Sequence, residues 1–420
     1  KQARAYDRAG ADELCFLDVQ ELLHGYWLCR ALDVFAASEI AGQQIGSPEN
    51  HDANQLAWIS ALRAQLQLRE IYGVSDQIKL ASGEKVDVFR ALLSLELMSA
   101  HFLRDFLGRY TTLLATRSDW RLALRDLALE GLSNGMQIRF PLTWSDRSAK
   151  IANITNWTVS PEHPRGNPRM ASSILDFWSY DMQVMASQLR ADTLGLTPRL
   201  YERPVLKFGS TFVQLPWVVG ALNRSTAAIN NLRRLGARRT ETASETRQIE
   251  QQIAGMLRSR GFQVVLNWDP PAPWQEAGEV DVIAARDGHV FVLEVKSTFI
   301  RRSLRDAWLH ATSTLRKAGR QVEKKLRTVA AAIEAGHLTE QLGLAGPVPA
   351  SQVHGWIVDT SIECDHDHFS GHLKVSLEEV LIALRDDAHL LTDPYGPLSE
   401  SSQGTRDRDR VGTLYPEGFS

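Results

Sequence analysis

Cysteine is scarce in this 420-residue chain. Cys15, Cys29 and Cys364 are odd in number and far apart, which argues against a disulfide framework and suits a reducing cytosol. Long hydrophobic runs are missing too: no stretch of about 18 uncharged apolar residues occurs, so no membrane-spanning helix is expected. The opening KQARAYDRAGADE has neither the apolar h-region nor the small-residue cleavage site of a secretory signal. These absences point to a cytoplasmic protein without a membrane partner. Because the chain opens on Lys1 and not Met, it reads as a trimmed piece of a longer protein. There is no glycine-rich phosphate loop with its lysine, which argues against ATP hydrolysis, and no internal repeat. A large net charge is lacking as well. The value of −3 excludes a globally basic nucleic-acid binder.

What is present is an ordinary globular composition, 44% hydrophobic and 23% charged, in a chain long enough for two domains or three. The small net charge conceals a local excess. Residues 296 to 327 hold ten Lys or Arg against Asp306 and Glu323, a net of +8 that leaves −11 for the remainder.

The expected class is α+β multidomain. Residues 1–240 read as a mostly helical lobe: apolar residues recur at three and four positions in NQLAWISALRAQLQL and VDVFRALLSLELMSAHFLRDFL, and helix resumes at SSILDFWSYDMQVMASQL. A small β hairpin is expected near 203–217, around Gly209-Ser210. The basic, turn-prone GARRTETASET (236–246) is the candidate border. Beyond it the order is a helix, the strand FQVVLN, a proline-rich loop, a hairpin, a long helical region 303–335 and the strand VHGWIVDTS. Residues 396–420 read as a flexible tail.

The hairpin GEVDVIAARDGHVFVLEVKS (278–297) carries the chemistry. Asp287-Gly288 favours a two-residue turn with positive φ at both positions, and counting back places Arg286 opposite His289, Val282 opposite Leu293 and Asp281 opposite Glu294. Alternation then puts Val280, Val282, Ala284, Phe291, Leu293 and Val295 on one face, with Glu279, Asp281, Glu294 and Lys296 on the other. Opposed carboxylates at such spacing are destabilising unless something positive sits between them. A hard divalent cation meets that need, since Mg²⁺ takes oxygen ligands and keeps positions for water and substrate phosphate. Lys296 would then orient or help deprotonate an attacking water. A plain solvent-face pairing of Glu279 with Lys296 is the structural alternative.

The order helix-Glu, G-E-V-D, E-V-K resembles the PD-(D/E)XK nuclease superfamily, the restriction-endonuclease-like fold, and within it Mrr-type modules. The resemblance covers about residues 241–385, within a nuclease domain set at 241–395, and implies an αβββαβ core with a mixed sheet. Asp281 matches the first acidic motif, although Val280 stands where a proline is usual. Glu294 and Lys296 match the (D/E)XK pair, with Val295 as the residue whose backbone carbonyl joins the metal. The resemblance implies a further acid on the preceding helix, Glu250 or, failing that, Glu245, and a Gln and Lys on the following helix, Gln321 and Lys325, facing the site. It implies hydrolysis of phosphodiesters in nucleic acid, DNA before RNA, with Mg²⁺ or Mn²⁺, by an endonuclease or exonuclease in phage defence or DNA repair. Arg301, Arg302, Arg305, Arg316, Lys317, Arg320, Lys324 and Lys325 form the expected nucleic-acid-binding surface. The helical lobe is the expected place for a protein partner or self-assembly. A rival reading is a protein that grips nucleic acid or a partner without cutting.

Other signals carry less. Cys364, His366, His368 and His372 match no common zinc spacing, and His101 and His310 read as packing or surface residues.

Overall fold

A computed structural model describes residues 23–395 apart from 80–82, 84, 135–142, 191–199, 201, 221, 223, 236–238, 298–303, 362, 385 and 386. The expected tail 396–420 lies outside the described residues, as do Arg301 and Arg302. The chain mixes helix and sheet and divides into two compact units: residues 30–69 with 74–237, and residues up to 29 with 70–73 and 238 onward. Among the described residues no helix is long and apolar enough to cross a membrane.

In the first unit, the helix expected from VDVFRALLSLELMSAHF starts at Val88 because Asp87 caps it, accepting from the Arg90 N–H at 2.7 Å. That unit also holds more sheet than the periodicity suggests. The hairpin Val205–Phe208 with Thr211–Gln214 forms about Gly209 and becomes the centre of four strands, flanked by Thr143–Asp146 and Ser179–Asp181. Ser179–Asp181 interrupts the run expected as one helix from Ser172 to Leu189. Ser179 is extended (φ −93°, ψ 140°), and its strand pairs in parallel with Val205–Lys207, so ladder bonds from a distant segment override local helical periodicity.

The second unit is built on a six-stranded sheet. Helix α1 (Arg239–Ser259) leads into β1 (Gln263–Trp268), β2 (Val280–Arg286) and β3 (His289–Lys296), an antiparallel meander. A helical crossover follows, α2 (Leu304–Leu309), a π-helical turn (His310–Leu315) and α3 (Arg316–Glu334), which returns the chain to β4 (Val353–Asp359), parallel to β3. The hairpin β5 (His368–Phe369) and β6 (His372–Ser376) extends the sheet at the β4 side, and α4 (Leu377–Ala383) follows. The order across the sheet is β5-β6-β4-β3-β2-β1. This edge hairpin lies beyond VHGWIVDTS, the last strand expected from the sequence. The edge hairpin closes through Ser370 (φ 54°) and Gly371 (φ 82°), the same two-residue turn that Asp287 (φ 50°) and Gly288 (φ 82°) make between β2 and β3.

Both faces of β2 and β3 are covered. Val329, Ala332 and Ile333 of α3 pack on Ile283, Ala285, Val290 and Val292. The alternate residues face the α1 side, where Phe262, just past α1, meets Phe291 at a centroid distance of 6.1 Å. The face carrying Asp281, Glu294 and Lys296 is therefore apolar along most of its length and polar only where the strands end.

Candidate functional site

The turn at Asp287-Gly288 sets the register, and the rungs run from Arg286↔His289 to Val282↔Leu293. One residue further, the Asp281 carboxylate takes over the role of a rung: its Oδ2 accepts from the Val295 N–H at 2.8 Å. That bond orients Asp281 beside Glu294 and spends the Val295 N–H on a carboxylate, a charge-assisted bond stronger than a neutral one.

The positive charge between the two acids is a lysine. Lys325 of α3 is buried; its Nζ donates to Asp281 Oδ1 at 2.8 Å and also pairs with Glu294 Oε2. Lys296 pairs with the other oxygen of Glu294, Oε1, and is partly exposed. Burial opposes the charge on Lys325, but the Asp281 and Glu294 carboxylates outweigh it and hold the ammonium above the ordinary lysine range. Lys325, expected both in the cationic surface and, with Gln321, on the side facing the site, sits inside because it follows Val322 by three positions and precedes Val329 by four on the buried stripe of α3.

Glu250 joins this group from α1. It is buried beside Ile249, Ile253, Ala254 and Leu257, and among the described residues no ion pair or hydrogen bond reaches its carboxyl. Burial and then the negative charges of Asp281 and Glu279 push it up to about 7, against the pull of Arg247 and Lys325. Glu245 lies in α1, further from this stripe in sequence. Gln321 stands one turn before Lys325 and is half buried. The remaining cations disperse. Lys324 donates to the Glu276 carbonyl, Arg327 pairs with Glu323, Arg305 stands in α2, and Arg316, Lys317 and Arg320 are exposed on α3.

Two groups escaped the sequence reading. Asp359 ends β4 directly beside Lys296 in the parallel ladder, and its Oδ2 meets His310 Nε2 and the Ser361 hydroxyl, each at 2.8 Å. His310 is thus the buried partner of an acid neighbouring the site; the one available signal was an aspartate closing the apolar run VHGWIV. Further along, fully buried Lys374 pairs with Asp365, and His366 pairs with Glu379. Burial raises Asp365 to about 7, with Lys374 opposing and Glu379 adding to the shift. The cysteine and histidines of 364–372 form no common cluster; His366 turns to Glu379 instead.

Among the described residues no group of three or more His, Cys, Asp or Glu is gathered so as to hold a metal ion. The donor chemistry of Asp281 and Glu294 nonetheless fits a hard cation, which needs only one or two carboxylates beside water and phosphate. Glu250, pushed up to about 7 by burial first and then by Asp281 and Glu279, is the further carboxyl beside them. Compared with protein-family models, with curated protein sequences and with solved structures, the chain finds no match.

Proposed function

We propose that the second unit hydrolyses phosphodiester bonds in nucleic acid, DNA by the resemblance its motifs carry, as a Mg²⁺-dependent nuclease of the PD-(D/E)XK type. The observation that supports this most is convergence. Asp281 and Glu294 from adjacent strands share Lys325, Lys296 holds the far oxygen of Glu294, and Glu250 stands close enough to feel Asp281. The element order α1-β1-β2-β3-α3-β4 is the order this reading requires.

Asp281 and Glu294 would hold the ion, with Glu250 and the Val295 carbonyl as the further donors the resemblance implies. When bound, Mg²⁺ or Mn²⁺ supplies Lewis-acid polarisation of the phosphate. The protein's own part is positional. The Val295 N–H fixes the rotation of Asp281, and Lys325 bridges the two carboxylates. The Lys296 ammonium, the more exposed of the two, is the group placed to orient a water and exchange its proton. Phage defence and DNA repair are both settings for such an activity.

One observation favours a second reading. Lys325 already fills the gap between the carboxylates, as a structural ion-pair network would, and the unit would then grip nucleic acid or a partner without cutting. The deciding experiment is cleavage of single-stranded, duplex and branched DNA and RNA with Mg²⁺, Mn²⁺ or EDTA, by wild type and Lys296→Ala. Metal-dependent products that vanish in the variant support hydrolysis. Equal products in both remove the assigned role of Lys296, and no product on any substrate favours the second reading.

A further inference from the structure

Between α3 and the edge strand β5 lies an open cavity of about 350 Å³ lined by Arg316, Arg320, His368, Phe369 and Ser370. Arg316 and Arg320 are one helical turn apart and exposed. Among the described residues neither guanidinium has an acid partner; Arg320 Nε reaches only the Arg316 carbonyl, at 3.4 Å. By contrast, Arg327 on the same helix is paired with Glu323. Two uncompensated guanidiniums facing one cavity are a strong concentration of positive charge, and their planar forks match phosphate oxygens two at a time.

The cavity is built by a close approach. Gly319 sits between the two arginines in sequence, and a Cβ there would lie 2.3 Å from the Phe369 carbonyl oxygen and 2.6 Å from its carbon. The edge hairpin therefore presses on α3 at a point where only glycine leaves room. Phe369 completes the contact by packing on Leu315, Ala318, Val322 and Ile357. That contact brings residues 368–370 up to the arginines and gives the cavity its wall.

The position relative to the carboxylates follows from the helix. Lys325, which bridges Asp281 and Glu294, lies five residues beyond Arg320 and nine beyond Arg316, or roughly 8 and 14 Å along α3 at 1.5 Å per residue. A nucleic-acid strand advances about 3.4 Å per nucleotide along its axis, so this offset corresponds to roughly two to four nucleotides.

We propose that the cavity is a subsite for one non-scissile phosphate of a nucleic-acid strand, about two to four nucleotides from the bond presented to Asp281 and Glu294. The offset from a scissile bond rests on the hydrolytic reading of that site, whereas the phosphate contact itself needs no chemistry. The same anion chemistry could be met by a free phosphate or mononucleotide, and the test separates the two sources.

The test is fluorescence anisotropy of labelled single-stranded and duplex oligonucleotides with the full chain in EDTA, across a salt series, for wild type and Arg316→Gln/Arg320→Gln. Thermal melting with added orthophosphate or AMP is run in parallel. The expected result is a fall in the log–log salt slope of the double variant by about 0.7 on single strands or about 0.9 on duplex, the share of one phosphate, with affinity down at least about tenfold. Its melting temperature should match wild type. Arginine-dependent binding without any metal-dependent cleavage would retire the hydrolytic reading and leave the phosphate contact in place. An unchanged slope and affinity in the double variant, or no nucleic-acid binding by wild type, overturns the proposal. So does stabilisation by orthophosphate or AMP that needs the arginines while oligonucleotide binding does not.

Discussion

Lys325 donates to Asp281 Oδ1 at 2.8 Å across 44 residues of sequence, tying the second helix of the crossover to the second strand of the meander. The same ammonium pairs with Glu294 on the third strand. One buried cation thus holds together three elements that would otherwise bring two like charges into contact, and the structure depends on it in a measurable way.

Removing that cation while keeping its length should be costly. Lys325→Met leaves Asp281 and Glu294 facing each other, and breaking a buried pair of this kind typically costs about 3–5 kcal/mol. Urea unfolding in EDTA should show a lower midpoint, and Mg²⁺ should recover more stability in the variant than in wild type. A midpoint equal to wild type would mean that Lys325 is not the group balancing the two acids.

Lys296 should separate chemistry from folding. It is the more exposed lysine of the pair, and its contact with Glu294 is duplicated by Lys325. Lys296→Ala is expected to lower single-turnover cleavage by about 10²–10⁴-fold, the span of one lost general acid or base, with a melting temperature close to wild type. Loss of fold in this variant would assign Lys296 to structure.

Glu250 gives a pH dependence whose sign can be stated. Its ordinary value of 4.5 rises to about 7 in the folded chain, because burial and the acids Asp281 and Glu279 disfavour its charge. Between these values the folded state keeps the proton while the unfolded state has released it, so stability falls as pH rises from about 4.5 to 7 and then levels off. Glu250→Gln should remove this share of the fall, leaving that of Asp365, and in EDTA its margin over wild type should widen across that window. Parallel pH–stability curves for the two proteins would show that the carboxyl is not perturbed.

Gly319 should tolerate no side chain. Gly319→Ala places a methyl 2.3 Å from the Phe369 carbonyl oxygen, a backbone atom that can yield only by moving the edge hairpin. Overpacking of this kind costs about 1–3 kcal/mol, although alanine is the better helix former. Denaturant midpoints compared with those of Gly255→Ala, a helical glycine with open space about its Cβ position, test this directly. Equal effects at the two sites would place the hairpin elsewhere.

Much of the local design can be read before folding. Asp-Gly can supply two positive-φ residues at the β2–β3 turn, and a period of two then assigns every residue of the hairpin to a face; the rungs observed follow that count. Ile249, Ile253, Ala254 and Leu257 mark the buried stripe of α1 in the same way, and Glu250 at its edge follows. The reading fell short where partners are remote. Ser179–Asp181 is a strand only because Val205–Lys207 pairs with it, and the edge hairpin at 368–376 has too few residues for a period to register.

The sequence by itself determined the turn and the register of the rungs from Arg286↔His289 to Val282↔Leu293, because each depends on φ preferences and alternation within twenty neighbouring residues. It also demanded a positive charge between Asp281 and Glu294. The resemblance put Lys325 on the side facing the site; that its ammonium is the charge joining the two acids was decided by tertiary structure. Only the crossover that lays α3 over β2 and β3 can bring Lys325 into the gap, seat Asp359 against His310, and press Gly319 on the edge hairpin to wall the arginine cavity. Helical spacing shows which residues of α3 share a side; what that side meets is a matter of packing between segments far apart in the chain.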